Sequence, residues 1–341
     1  MRRLRGLLAA GVLAIAAVAA SIAIAQALRT SATVEKISVR AQPITSFDNR
    51  DPARRRFGAL EFRGGLELSS PNRAFGGISA LRVAPDGAHF LAVTDNGSWL
   101  RGRITYEDGH PAGIADAEMA PILGADGKPL ASRSWYDAES LAEDGDTRYV
   151  GIERVDQIVK FDYGRDGLLA RGEPLALPPQ FKNFTYNKSL ECLVMVPKEM
   201  PLAGTLVVVT ERSLDSQGNH RSFLLADGHA GEFSVVRSDD FDVSDCAVLP
   251  SADLLLLERR YSPARGVAMR IRRVPLSSLK PGALVDGPIL VEADLGYQID
   301  NMEGLAVHRA DNGDLVLTLI SDDNFSVIQR TLLLQFTLVG Q

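Results

Sequence analysis

The sequence predicts an all-β protein, a β-propeller with five recognisable blade-like repeats and five or six blades of four antiparallel strands each. Three observations predict it. No long amphipathic helix is visible. Short Val/Leu/Ile-rich runs alternate with turn clusters such as Pro85-Asp86-Gly87, Asp108-Gly109 and Asn312-Gly313, the pattern of consecutive short strands. One unit also recurs five times: a small or acidic residue, an apolar stretch, a turn, then an apolar strand that closes on an acid.

The first unit is Gly76-Gly77-Ile78-Ser79-Ala80-Leu81, with its strand Phe90–Thr94 ending at Asp95. The second is Asp137-Ala138-Glu139-Ser140-Leu141, with Tyr149–Ile152 ending at Glu153. The third is Ser189-Leu190-Glu191-Cys192-Leu193, with Leu206–Thr210 ending at Glu211. The fourth is Val243-Ser244-Asp245-Cys246-Ala247, with Leu254–Leu257 ending at Glu258. The fifth is Asn301-Met302-Glu303-Gly304-Leu305, with Leu315–Ser321 ending at Asp322. Counted from positions 77, 139, 191, 245 and 303, the units are 62, 52, 54 and 58 residues apart. A propeller blade takes about 40–50 residues, so the spacing fits blades with long loops. The inner strand of a blade is covered on both faces, which explains apolar runs without alternation. Leu332–Phe336 is expected to close the last blade together with a strand near Leu60–Phe62. A β-sandwich would not produce a recurring acid. Residues 262–290 are expected to form a long surface connection.

Residues 1–27 are a separate object. Arg2, Arg3 and Arg5 precede an uncharged apolar run from Leu7 to Ala25, and small residues offer cleavage near Ala25 or Ala27. That is the pattern of a secretory signal peptide; its rival is an uncleaved anchor. Residues 28–55 are polar and are expected to be an N-terminal extension, leaving 56–341 as the propeller domain. A periplasmic or secreted location follows, with no membrane contact beyond the cleaved segment. Such compartments permit disulfides. Cys192 and Cys246 are the only cysteines. They hold like positions in consecutive units and are candidates for a bond, against a reading as two small buried hydrophobes.

The 341-residue chain carries 37 Lys+Arg and 43 Asp+Glu, a net charge of −6, without the basic patch a nucleic-acid binder needs. No G-x-S-x-G elbow, H-E-x-x-H, P-loop or dinucleotide fingerprint occurs. The five histidines are scattered; His308 is expected to be an exposed strand residue, and Trp99 and Trp135 to pack between blades.

The chemistry therefore rests on acids. Asp95, Glu139, Glu153, Glu191, Glu211, Asp245, Glu258, Glu303 and Asp322, with Asp323 beside the last, all lie near one end of inner strands, which line a propeller's channel. Two like charges 6 Å apart repel by about 3 kcal/mol at an effective dielectric near 20. Such a set needs protons, basic partners or a cation. Arg154, Lys188, Arg212, Arg259, Arg260 and Arg330 are the basic partners at hand, so the acids read either as inter-blade ion pairs or as ligands of calcium, which takes 6–8 oxygens.

These motifs resemble the bacterial "esterase-like activity of phytase" family. The resemblance is carried by Phe75-Gly76-Gly77-Ile78-Ser79, Thr94-Asp95-Asn96-Gly97, Asp137-Ala138-Glu139-Ser140-Leu141, Leu257-Glu258-Arg259, Asn301-Met302-Glu303-Gly304-Leu305 and Ser321-Asp322-Asp323-Asn324-Phe325 with Gln329-Arg330. It covers about residues 56–340. The second unit reads Asp-Ala-Glu where the family has Asp-Pro-Glu, and the fourth Ser-Asp-Cys where Ser-Glu is usual. The resemblance implies an exported, propeller-like hydrolase of phosphate esters or related esters. The expected roles are metal binding at Asp95, Glu139, Glu191, Glu211, Asp245, Glu258, Glu303, Asp322 and Asp323. Catalysis is expected at Glu139, Glu303, Arg154 and Arg259, and substrate binding at Lys188, Arg212 and Arg260. The expected partner is a small-molecule ester or phosphate ester, handled by a monomer. Two other readings are a non-enzymatic binding or envelope scaffold and a sugar or lactone hydrolase with a metal-centred channel.

Overall fold

The computed structural model describes residues 32–179, 181, 184–186 and 188–340. The signal-peptide expectation for 1–27 lies outside the described residues. Among those residues no helix is long and apolar enough to cross a membrane.

Five sheets form a ring of five blades. The inner strands are Ile78–Val83, Ala138–Asp144, Leu190–Met195, Asp242–Leu249 and Asn301–Arg309, and each runs antiparallel to the next strand of its own blade. Each of the five apolar clusters lies between two neighbouring blades. This is why the strands do not alternate: Leu254, Leu255, Leu256 and Leu257 are all fully buried, because both faces of their blade meet a neighbour. Trp99 is fully buried against Phe161 of the second blade, as its packing role requires.

The ring closes where the chain ends meet. Thr331–Leu338 pairs with Leu60–Ser69, so the last blade is made from both ends of the domain. The expected extension is woven into the propeller. Arg40–Ile44 adds an outer strand to that last blade, Glu35–Lys36 adds one to the first, and Phe47 is fully buried. The blades consequently hold four or five strands in their main order rather than a uniform four, with the short strand Arg56–Phe57 pairing off the last blade, and two outer strands, Leu123–Gly124 and Leu284–Val285, pair in parallel.

Two expectations fail. Residues 262–290 are not mainly a connection: Gly266–Pro275 is a ten-residue strand paired along its length with Asp253–Ser262. Its Pro, Ser and Lys residues lie at the end of that strand and in the turns on either side of it. His308 is buried, not exposed, because its strand is an inner one and both of its faces are covered.

Candidate functional site

The inner strand of every blade carries a β-bulge near its start. The register shifts at Ser79, Glu139, Glu191, Ser244 and Glu303. A bulge puts two residues opposite one, bends the strand and re-aims a side chain. Beside each bulge, the second strand presents the residue that follows the partner of the pre-bulge position, namely Asp95, Glu153, Glu211, Arg259 and Asp322. Two sets of five thus meet at one end of the channel. The bulge set contains three glutamates and two serines, and the second-strand set four acids and one arginine.

Seven of these ten side chains line a cavity of about 730 Å³, whose charged residues are Asp95, Asp137, Glu139, Glu153, Glu191, Asp300, Glu303 and Asp322, with Lys188 and Arg259 as the cations. Carboxylate oxygens of Glu153, Glu191 and Glu211 all lie within 4.8 Å of one another, and all three residues are buried. Arg259 reaches Glu211 at 3.2 Å and Glu303 at 3.1 Å, while Lys188 reaches Glu211 at 2.7 Å. Two cations cannot neutralise this many acids. Asp95 Oδ1, Glu191 Oε2 and Glu303 Oε2 are buried and have no hydrogen-bond partner among the described residues.

Burial and this imbalance together raise the pKa values of the acids. Burial, reinforced by Asp322, pushes Asp95 up to about 7. Burial pushes Glu303 up to about 8 against the pull of Arg259, with Asp322 adding to the rise. It pushes Glu153 up to about 7, although the Ser189 amide donates to its Oε1 at 2.5 Å. Asp322 rises to about 6 by burial, opposed by the Asn324 amide. Glu139 and Glu191 lie well above the usual carboxylate range, first through burial and then through neighbouring glutamates. Desolvation and like charge both disfavour the ionised form, so at neutral pH this well either keeps protons or attracts a cation. Its donors are all oxygens, which suits a hard divalent ion.

Local backbone builds the well tightly. Gly76 and Gly77 take φ of +129° and +58°, a region that favours glycine. A Cβ on Gly76 would stand 2.6 Å from Asp323 Oδ1, and one on Gly77 would run into the Asp95 carboxylate. The Asp95 amide donates to Gly77 O at 2.9 Å, and the Asp137 amide to Asp95 O at 2.7 Å, tying the first blade to the second.

Several sequence-predicted site residues belong elsewhere. Asp245 is not at the bulge; Ser244 is. One residue further on, Asp245 is fully buried and holds Arg82 through two guanidinium hydrogen bonds of 2.8 and 3.0 Å. Glu258 stands one position before the channel-facing residue, which is Arg259. Its carboxylate is clamped by Arg270 and Arg272 at 2.6–2.7 Å inside the wall. The cause is the same in both cases: the acids of the fourth unit sit one residue out of frame, and in a strand a shift of one turns a side chain to another face. Asp323 braces the turn, accepting from the amides of Gly77 and Phe325 and from the Thr331 hydroxyl. Arg212 is paired to Asp242, and Arg260 stacks on Phe241 and donates to Asp239 O. Arg154 follows Glu153, and its guanidinium lies between the rings of Tyr136 and Tyr186, 5.3 and 4.8 Å from their centres.

Cys192 and Cys246 form a disulfide between the inner strands of the third and fourth blades. Cys192 is one residue past its bulge and Cys246 two past. Successive side chains point to opposite faces, so this offset lets one cysteine face forward and the other back across the blade boundary. Asp137, Asp300 and Arg82 are site or hub residues that sequence reasoning did not single out. For Arg82 a signal existed: it is the lone charge within the six buried residues of Ile78–Val83.

A family model described as "Phytase-like: Esterase-like activity of phytase" matches residues 73–325. The search of curated proteins found no match. Among solved structures, a chain from the S. cerevisiae complex of dbp5 with nup159, gle1, ip6 and adp is 10% identical. That alignment covers 84% of this chain and 96% of that one at a TM-score of 0.37. A chain of the nidogen/laminin complex is 13% identical over 77% of this chain and 87% of its own, with a TM-score of 0.39. The RRP9 WD40 repeats are 12% identical over 88% and 87%, also at 0.37.

Proposed function

The chain belongs to the phytase-like, esterase-like family, and from that premise we propose that it is an exported hydrolase of phosphate esters or related esters, assisted by calcium at the carboxylate well. The observation that carries the reading is the set of buried carboxylate oxygens without partners, on Asp95, Glu191 and Glu303. Buried unpaired acceptors are costly, and a hard cation is the partner that this oxygen-only donor set fits. Glu153, Glu191 and Glu211 would hold it, with Asp95 and Asp322 across the cavity as further donors. When bound, the ion supplies positive charge against the ester or phosphoryl oxygen.

The chain's own residues do the rest. Glu139, ionised where a cation in the well offsets its burial and the neighbouring glutamates, would take one proton from the attacking water. The water oxygen bonds to the acyl carbon or phosphorus, and the bond to the alcohol oxygen breaks. Glu303, outside the three-glutamate cluster that would hold the ion, would protonate the departing alcohol. Arg259 keeps Glu303 oriented.

The test is turnover of p-nitrophenyl phosphate and p-nitrophenyl acetate by the mature protein, with calcium and then with chelator. Calcium-dependent turnover that Glu139→Gln and Glu303→Gln each reduce by about 100-fold or more is expected. Silence on every ester in both conditions refutes the hydrolase. Export is checked by sequencing the mature N-terminus, expected just after Ala25 or Ala27.

A further inference from the structure

One wall of the cavity is not acidic. Tyr261, Val267, Leu295 and Ile328 line it together with the carboxylates. Tyr261 and Val267 face each other across the hairpin that ends the two long strands of the fourth blade. Leu295 lies against Gly266 in that hairpin. Ile328 stands in the turn after Asp322. Tyr261 is 70% exposed, Leu295 57% and Ile328 86%, and Val327 next to Ile328 is wholly exposed. Large apolar side chains gathered in solvent mark a place where something apolar binds.

The charges inside the mouth say what the rest of that ligand is. Among the described residues lining the cavity, Lys188 and Arg259 are the cations, and both are already held by Glu211 and Glu303. A ligand crowded with phosphates would meet many carboxylates and few basic groups. A ligand with one polar ester head and one apolar tail matches both parts of the wall: the head enters the well and the tail lies along the lip.

We propose that this site selects amphiphilic monoesters, whose alkyl or acyl chain rests on the lip formed by Tyr261, Val267, Leu295 and Ile328. That such a ligand is a substrate rests on the hydrolase reading, and that its charged head enters the well rests on the calcium proposed there; that its chain lies on the lip rests on neither.

The experiment separates the two. Methyl phosphate and hexyl phosphate are titrated calorimetrically into the calcium-loaded protein and into a Leu295→Ser/Ile328→Ser variant. Both side chains are exposed, so the variant is expected to keep the parent's melting temperature. Each methylene buried is worth up to about fourfold in affinity, and a half-covered hexyl chain gives about tenfold or more over methyl. The expected result is that preference in the parent and its loss in the variant, with methyl phosphate binding unchanged. Equal affinity for the two phosphates, a preference that survives in the variant, or no binding of hexyl phosphate overturns the proposal. Turnover of p-nitrophenyl acetate and hexanoate is followed in parallel. Chain-length-dependent binding without any turnover leaves the lip in place and removes the hydrolase.

Discussion

Replacing Asp245 by alanine is expected to break the hub that joins the blades without touching the carboxylate well. The Asp245 carboxylate is fully buried and accepts four hydrogen bonds: two from Arg82, one from the Cys246 amide at 2.7 Å and one from the Leu305 amide at 2.8 Å. Arg82 in turn donates to the carbonyls of Leu305 and Leu193 at 3.1 Å, so one guanidinium spans from the first blade to the third, fourth and fifth. Removing the carboxylate strands a buried cation, which costs about 3–5 kcal/mol. It also leaves two buried N–H groups without acceptors, at about 1–3 kcal/mol each. Neighbouring terms overlap, so a loss of at least about 4 kcal/mol is expected. For a domain of this size each kcal/mol lowers the melting temperature by about 2–4 °C, which gives about 10 °C or more. The assay is thermal unfolding by circular dichroism with calcium present. The double variant Arg82→Met/Asp245→Leu removes both charges and is expected to lose less than the single one, because an apolar pair leaves no buried charge stranded. A single variant that melts within about 2 °C of the parent, or a double variant less stable than the single, refutes the hub. Calcium affinity of the single variant is expected to match the parent, measured at a temperature where both are folded.

Other outcomes follow from the same geometry. In chelator, stability is expected to fall as pH rises from 5 to 8. The folded chain holds Glu303 near 8 and Glu153 near 7, whereas unfolded glutamates titrate near 4.3. The folded state therefore binds more protons across that window, and stability drops by up to about 1.4 kcal/mol per pH unit for each group. Saturating calcium is expected to flatten the slope, and melts at both pH values with and without metal check this. Glu191→Gln keeps the shape and removes one charge, so it should raise the metal-free melting temperature at pH 8 and weaken calcium binding about tenfold or more; an unchanged calcium titration contradicts it. Gly77→Ala forces a Cβ onto the Asp95 carboxylate and should weaken calcium binding while the far-ultraviolet spectrum stays that of the parent. Cys192→Ser opens a link across 54 residues, and the chain-entropy cost is about 4 kcal/mol, read as a lower urea midpoint.

The propeller was legible because its signal is repetition, and repetition survives loops of unequal length. Glu139, Glu191 and Glu303 were legible for the same reason: each sits at its unit's bulge. The fourth unit misled because an acid standing near the expected place looks equivalent in text. Only the strand register reveals that Ser244, not Asp245, takes the bulge and that Arg259, not Glu258, reaches the cavity. Glu258 was further disguised by its partners. Arg270 and Arg272 lie on the next strand of the blade, in the stretch read as a connection, so no pairing was in view. Asp323 shows a different limit: its carboxylate is occupied by amides of its own turn and of Gly77, and backbone partners leave no trace in a list of residue types.

Calcium titration of metal-stripped protein by calorimetry, in two buffers of different ionisation enthalpy at pH 7.5, tests the carboxylate well most directly. Saturable binding accompanied by release of protons from the raised glutamates is the predicted outcome. Heats that show no binding at millimolar calcium, or binding that releases no protons, would contradict it.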